Sequence, residues 1–273
     1  MSAQVSSAVL LKEAIEEARF GGKCVSLGLA LRADLPAPRG YALAVDLVSA
    51  IASGDEAAKA NIAPLFAEFA PAVAVRSSAV GEDSADASFA GQHLTVLNVM
   101  DAESVITAIQ QVHASAYTAE AIAYRAKMGV EGEPAIAVVI QQQIRSEVAG
   151  VMFTKNPITN TNERYIEASW GLGEAVVAGM VVPDSFRISS EGNILEQVLG
   201  DKDVELVAMA EGETAEQDVD QIRQSSLCLS EDQLNCLHSL ALNCEATYGE
   251  HIDIEWAFHD EQLYLLQCRS ITM

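Results

Sequence analysis

Near the C-terminus, Ile252-Asp253-Ile254-Glu255-Trp256-Ala257-Phe258 and Leu263-Tyr264-Leu265-Leu266-Gln267-Cys268-Arg269 flank the short polar stretch His259 to Gln262. Alternating apolar and polar residues on both sides of a turn predict a β-hairpin. The alternation puts Ile252, Ile254, Trp256 and Phe258 on one face and Asp253 and Glu255 on the other, while Gln267 and Arg269 share a face of the second strand. If Glu255 pairs with Gln267 across a three-residue turn, then Glu255, Gln267 and Arg269 converge. A two- or four-residue turn is expected to separate them. A carboxylate beside an amide oxygen suits magnesium, and an adjacent arginine suits a polyphosphate. An exposed hairpin face with a simple Glu–Arg pair accounts for the same spacing.

A second constellation is Val73-Ala74-Val75-Arg76-Ser77-Ser78-Ala79, an apolar strand that runs into an arginine and two hydroxyls. Small and acidic residues continue to Ser88-Phe89-Ala90-Gly91-Gln92. Such a strand end suits an anion held by backbone amides and clamped by a guanidinium. An ordinary surface loop with Arg76 paired to Glu82 or Asp83 is the alternative. Gly21-Gly22-Lys23 is similar to a fragment of a phosphate loop, although Glu17 and Cys24 stand where a full Walker pattern needs glycine and a hydroxyl. The same triplet also reads as the C-cap of a helix. Trp170-Gly171-Leu172-Gly173-Glu174 places two glycines at a strand-to-helix turn, a geometry that can admit a ligand close to the backbone. The five histidines show no metal-ligand spacing.

The elements that must position these residues alternate between helical and strand patterns, as in an α/β or α+β protein. Leu10, Leu11, Ala14, Ile15 and Ala18 form a helical stripe expected to stop at Gly21 and Gly22. Ala72 to Arg76 reads as a strand partnered by Leu94 to Val99, and Asp101 caps a long helix interrupted near Ser115 to Thr118. Ala135 to Ile144 has the unbroken apolar run of a strand buried on both faces, and Gly150 to Thr154 returns after the polar turn Arg145-Ser146-Glu147, where a hinge is expected. Further strands are expected at Arg164 to Ala168, Ser185 to Ser189, Ile194 to Leu199 and Val204 to Ala208. Glu174 to Met180 reads as a short helix and Ala210 to Asp220 as a surface loop. Ser230-x-x-Gln233 is a capping box for a last helix closed by Gly249.

Composition narrows the partners. With 16 basic and 39 acidic residues in 273, the net charge of −23 disfavours nucleic acid and anionic membranes. Any anionic ligand must therefore meet a local basic cluster. Apolar residues make up 50%, enough for a substantial core, and no apolar run reaches membrane-span length. Met1 to Phe20 carries Glu13, Glu16 and Glu17 within its apolar pattern and does not read as a signal peptide. Five cysteines without a C-x-x-C pair fit reduced thiols in the cytoplasm, with Cys236 and Cys244 expected in the core.

Taken in order, Val75-Arg76-Ser77-Ser78-Ala79, Glu82-Asp83, Ser88 to Gln92, Gly150 to Phe153, Trp170 to Glu174, Pro183-Asp184, Asp253 to Trp256 and Gln267-Cys268-Arg269 resemble a known domain. It is the nucleotide-binding domain shared by phosphoenolpyruvate synthase, pyruvate phosphate dikinase and rifampicin phosphotransferase. The resemblance spans nearly the whole chain and implies a two-lobed α+β ATP-grasp domain. Residues 1–140 would form an N-terminal lobe with the phosphate loop, and 141–273 a C-terminal lobe with the metal-binding hairpin. It further implies that Lys23 and Arg76 contact ATP phosphates, that Gly91 and Thr95 line a covering loop, and that Gln141 sits at the adenine-side hinge. Glu255 and Gln267 match a magnesium-binding pair and Arg269 the arginine at the transferring phosphates, so Lys23, Arg76 and Arg269 are the expected catalytic residues.

Family members cleave ATP to AMP and phosphate and pass the β-phosphate to a histidine on a swivelling domain. No histidine here has the family's Gly-rich Thr/Ser-Ser-His context. The expectation is therefore an ATP-binding subunit served by a separate chain that carries the phosphohistidine domain and the acceptor site. A nucleotide sensor without chemistry, or a self-contained kinase forming ADP, remains the alternative. Cys24 and Leu29 depart from the Asn and Glu usual near the lysine.

Overall fold

The computed structural model of the chain describes residues 7–81, 94–127 and 132–271. Its described residues fall into two compact units. The first comprises residues 1–31, 39–143 and 210–213, and the second comprises 32–38, 144–209 and 214–273.

Unit 1 contains β1 (Ala8–Leu10), α1 (Glu17–Arg32), β2 (Gly40–Leu43), α2 (Val45–Ala52), α3 (Glu56–Lys59) and α4 (Ile62–Phe69). It continues with β3 (Val73–Ala79), β4 (Thr95–Val99), α5 (Ala102–Ser115), α6 (Ala119–Lys127) and β5 (Ile136–Gln142). The strands form one antiparallel sheet in the order β1-β2-β5-β3-β4. One face carries the core: Val73, Val75, Val138 and Ile140 from the sheet meet Leu47, Val48 and Ile51 of α2, Ile62 and Phe69 of α4, and Val105, Ile109 and Val112 of α5. Asp101 caps α5 by accepting the Ser104 N–H at 2.8 Å, as its sequence position predicts.

The N-terminal expectation is corrected. Ala8, Val9 and Leu10 pair with Leu43, Ala42 and Tyr41 as a strand, and the helix begins only at Glu17; its first segment ends at Gly21 as expected, and a second segment follows at once. A strand whose partner lies more than 30 residues away leaves no local periodicity to find it.

Unit 2 contains β6 (Val148–Phe153), β7 (Glu163–Trp170), α7 (Glu174–Val177), β8 (Asp184–Ser189), β9 (Ile194–Val198), β10 (Val204–Ala208), β11 (Thr214–Asp218), α8 (Gln221–Gln224), α9 (Glu231–Tyr248), β12 (Ile252–His259) and β13 (Gln262–Ser270). Its main sheet is antiparallel in the order β13-β12-β6-β7-β8-β9, and β10 and β11 form a separate hairpin. Helix α9 packs on β12 and β13, burying Leu234, Leu237, Leu240 and Cys244. Its capping box is present as expected, with Ser230 accepting the Gln233 N–H and Gln233 accepting the Ser230 N–H.

Three further readings change. Arg145 to Glu147 is not a hairpin turn, because β5 and β6 belong to different sheets. Ala210 to Asp220 is not all loop, because Thr214–Asp218 pairs with β10. Cys236 is exposed, whereas Cys228 and Cys244 are buried; the α9 stripe that faces the sheet runs through 234, 237, 240, 241 and 244 and leaves position 236 outside.

Candidate functional site

In unit 1 the predicted residues gather on the sheet face opposite the helical core. Val73, Val75 and Ala79 of β3 point into that core, so Ala74, Arg76 and Ser78 occupy the other face. Directly opposed residues of an antiparallel pair share a face. Arg76 lies opposite Thr95 on β4 and Val139 on β5, and Ala74 lies opposite Gln141. Arg76, Thr95 and Gln141 therefore share this face, and Arg76 and Gln141 are buried on it. Gly91 lies outside the described residues, as does the stretch Glu82 to Gln92.

The break in α1 that carries Lys23 packs on the same face, against Ser78. Gly21 has φ +72° and ψ 168°, which interrupts the helix, and the helix resumes at once rather than ending there. Gly21 thus closes the first helical segment, as the C-cap reading expects, and Gly22-Lys23 open the next. A Cβ at Gly21 would lie 2.0 Å from the Ser78 carbonyl oxygen, so both the backbone conformation and the space require glycine. The Ser78 hydroxyl, fully buried, donates to the Phe20 carbonyl at 2.8 Å and accepts the Cys24 N–H at 3.0 Å. Lys23 itself is only 7% exposed.

In unit 2 the hairpin β12–β13 carries the acidic and amide residues. Glu255 lies opposite Gln267 and Asp253 opposite Arg269, so all four share one face. The route to this register differs from the expected three-residue turn. His259 pairs with Gln262 across Asp260 and Glu261, both with positive φ, and a bulge then shifts the ladder so that Trp256 faces Leu265 and Glu255 faces Gln267. Leu266 is the extra residue. A two-residue turn and a bulge together restore what a two-residue turn alone would undo.

Arg269 binds Asp253 with Nε and Nη2 at 2.8 and 2.7 Å from Oδ2. Burial pushes the Asp253 carboxyl up from the usual range, partly offset by the Arg269 guanidinium. The other carboxylate oxygen, Asp253 Oδ1, is buried without a hydrogen-bond partner. Sequence reasoning left Asp253 off the site, although its strand alternation with Glu255 was the available signal. A carboxylate, an amide oxygen and an orphaned carboxylate oxygen on one face are hard donors that fit Mg2+ better than a thiophilic metal.

Other motifs have structural partners. What approaches Gly171 is the backbone of Leu206, whose carbonyl accepts the Leu172 N–H at 2.8 Å, rather than space for a ligand. Asp184 of the Pro183-Asp184 block forms a fully buried ion pair with Lys202 and accepts the Gly200 and Cys228 N–H groups at 2.7 Å each. His259 Nδ1 stands 3.2 Å from Glu147 Oε1, and Glu147 also accepts the Asp260 N–H, contacts that fasten the exposed hairpin turn. Among the described residues no helix is long and apolar enough to cross a membrane.

Residues 55–273 match the family profile described as pyruvate phosphate dikinase, AMP/ATP-binding domain. The chain is 42% identical over 203 residues to a probable phosphoenolpyruvate synthase of Methanocaldococcus jannaschii, covering 73% of this chain and 17% of that protein. It is 38% identical over 239 residues to phosphoenolpyruvate synthase of Pyrococcus furiosus, covering 84% of this chain and 29% of the relative. With rifampicin phosphotransferase of Bacillus cereus it shares 39% identity over 203 residues, 74% of this chain and 23% of that one. The chain thus spans between 17% and 29% of the length of these relatives. The profile match and the relatives agree, on a chain of α+β architecture: it belongs to the pyruvate phosphate dikinase AMP/ATP-binding domain family.

Proposed function

We propose that this chain is the ATP-binding subunit of a dikinase-type phosphotransferase acting in the cytoplasm. ATP is cleaved at both phosphoanhydride bonds, the γ-phosphoryl group going to water as inorganic phosphate and AMP leaving, while the β-phosphate passes to a histidine on a partner chain that also carries the acceptor site, for delivery to pyruvate or another small acceptor. The observation that carries this reading is the hairpin register, which sets Glu255 against Gln267 and Asp253 against Arg269 on one face.

In this reading Lys23 and Arg76 bind phosphate oxygens, Thr95 at the start of β4 stands beside Arg76 where the covering loop expected around Gly91 joins the sheet, and Gln141 meets the adenine side. Glu255 and Gln267 hold Mg2+, which when bound neutralises charge on the phosphates. Arg269, oriented by Asp253, offers N–H donors to the phosphoryl oxygens on which charge builds during transfer. Phosphoryl transfer relies on such alignment and charge neutralisation rather than on a protein nucleophile in this domain. The limited coverage of the relatives supports a transfer histidine outside these 273 residues.

The test is to incubate the chain with Mg-ATP and a phosphohistidine-domain partner and to measure nucleotides and phosphohistidine. AMP and phosphohistidine are expected together, and Arg269→Ala should abolish both. ADP as the sole product would establish the self-contained kinase instead, and undiminished turnover in Arg269→Ala would overturn the site.

A further inference from the structure

Ser78 occupies an unusual place in unit 1. Its hydroxyl bonds to the last carbonyl before the break in α1, at Phe20, and to the Cys24 amide just beyond it, while its own carbonyl fills the space that a Gly21 side chain would need. Three contacts from one residue thus define the break, and Lys23 lies inside the bracketed turn. Ser78 also stands two residues beyond Arg76 on β3, so both side chains leave the strand on the same face. We propose that Ser78 is a positioning residue that sets Lys23 in register with Arg76, so that one strand places both cations. The inference rests on the assignment of Lys23 and Arg76 to ATP phosphates.

The hydroxyl works through geometry and not through charge. Without it, the Phe20 carbonyl and the Cys24 amide lose their shared partner, and the turn can pivot about Gly21, the residue with the fewest backbone restraints. Lys23, now 7% exposed, would then swing toward solvent.

The full chain is compared with Ser78→Ala, Ser78→Thr, Lys23→Ala and the Ser78→Ala/Lys23→Ala double variant. Two readouts are used: Mg-ATP affinity by calorimetry, and acylation rates of individual lysines by mass spectrometry. Ser78→Ala should weaken ATP binding about tenfold and speed acylation of Lys23 while leaving Lys12, Lys59 and Lys155 unchanged, which shows that the fold persists. The double variant should bind ATP no more weakly than Lys23→Ala, since a residue acting through Lys23 has nothing further to lose. Ser78→Thr keeps the hydroxyl and should restore both readouts. Unchanged Lys23 acylation in Ser78→Ala, multiplying losses in the double variant, or a threonine variant that behaves like alanine would each overturn the proposal. If the wild-type chain binds no ATP, the functional assignment fails by itself, and the acylation rates still decide whether Ser78 positions Lys23.

Discussion

The two faces that carry the candidate residues are fixed by different devices. In unit 1, a serine hydroxyl between two backbone groups and a glycine with no room for a side chain fix the break in α1 that carries Lys23. In unit 2, the polar residues are set by strand register and by ion pairs. Asp253 is paired with Arg269, Glu163 with Arg187, Arg164 with Glu245, and Asp184 with Lys202. The difference teaches that a break in a helix can be held by neutral hydrogen bonds alone, whereas a buried carboxylate such as Asp253 is held by a guanidinium.

The contrast can be broken most severely at the facing pair Glu255 and Gln267. Replacing both by alanine should remove the two oxygen donors that the register sets opposite one another and abolish Mg2+-dependent nucleotide binding in a titration, while Lys23 acylation stays unaffected. Next in size is Lys202→Met, which strands a buried Asp184 carboxylate. It should cost about 3–5 kcal/mol in denaturant unfolding, the usual penalty for uncoupling a buried pair. Gly21→Ala tests the neutral device. Its strained φ and backbone overlap should lower stability by roughly 2–3 kcal/mol, and Lys23 should become reactive, as with loss of the Ser78 hydroxyl.

The smallest effect is the most diagnostic. The Arg187 guanidinium, bonded through Nε and Nη2 to Glu163, helps hold the Glu163 carboxyl down to about 2 from an ordinary 4.5. A carboxyl depressed on folding adds stability that is complete above its unfolded value and disappears as the pH falls toward its folded value. Hydrogen exchange should therefore show unit 2 peptides losing protection between about pH 4.5 and 2, and Glu163→Gln should flatten that dependence. Peptides around β3 and α1, held by Ser78, should show no such component.

Much of this was legible from the sequence where the signal is local. The apolar run of β5, the Asp101 cap, the capping box before α9 and the alternation of β12 and β13 each rest on neighbours within a few residues. The unread parts depend on distant partners. β1 exists because β2 passes beside it, and the Ser78 clamp joins residues 54 and 58 positions apart. The hairpin shows a subtler limit. Alternation groups Gln267 with Arg269 and Glu255 with Asp253, but their convergence is expected from a three-residue turn, and turn length alone could not reveal that a bulge at Leu266 compensates a shorter one. Asp253 shared the strand parity of Glu255 and was passed over because its mate Arg269 becomes visible only once the register is known.

Arg76 sits on β3, zipped on both sides by β4 and β5, whereas Gln267 and Arg269 sit on β13, an outermost strand whose ladder is with β12, with α9 packed against it and the Leu265 N–H donating to the Pro36 carbonyl at 3.0 Å. Half of the unit 2 quartet therefore depends on a single ladder. Whenever β13 peels from β12, Glu255 and Asp253 remain while their mates depart, and the assembled face exists only in the fraction of time that the edge is closed. The rate of that peeling sets an upper limit on how long all four groups can act as a unit.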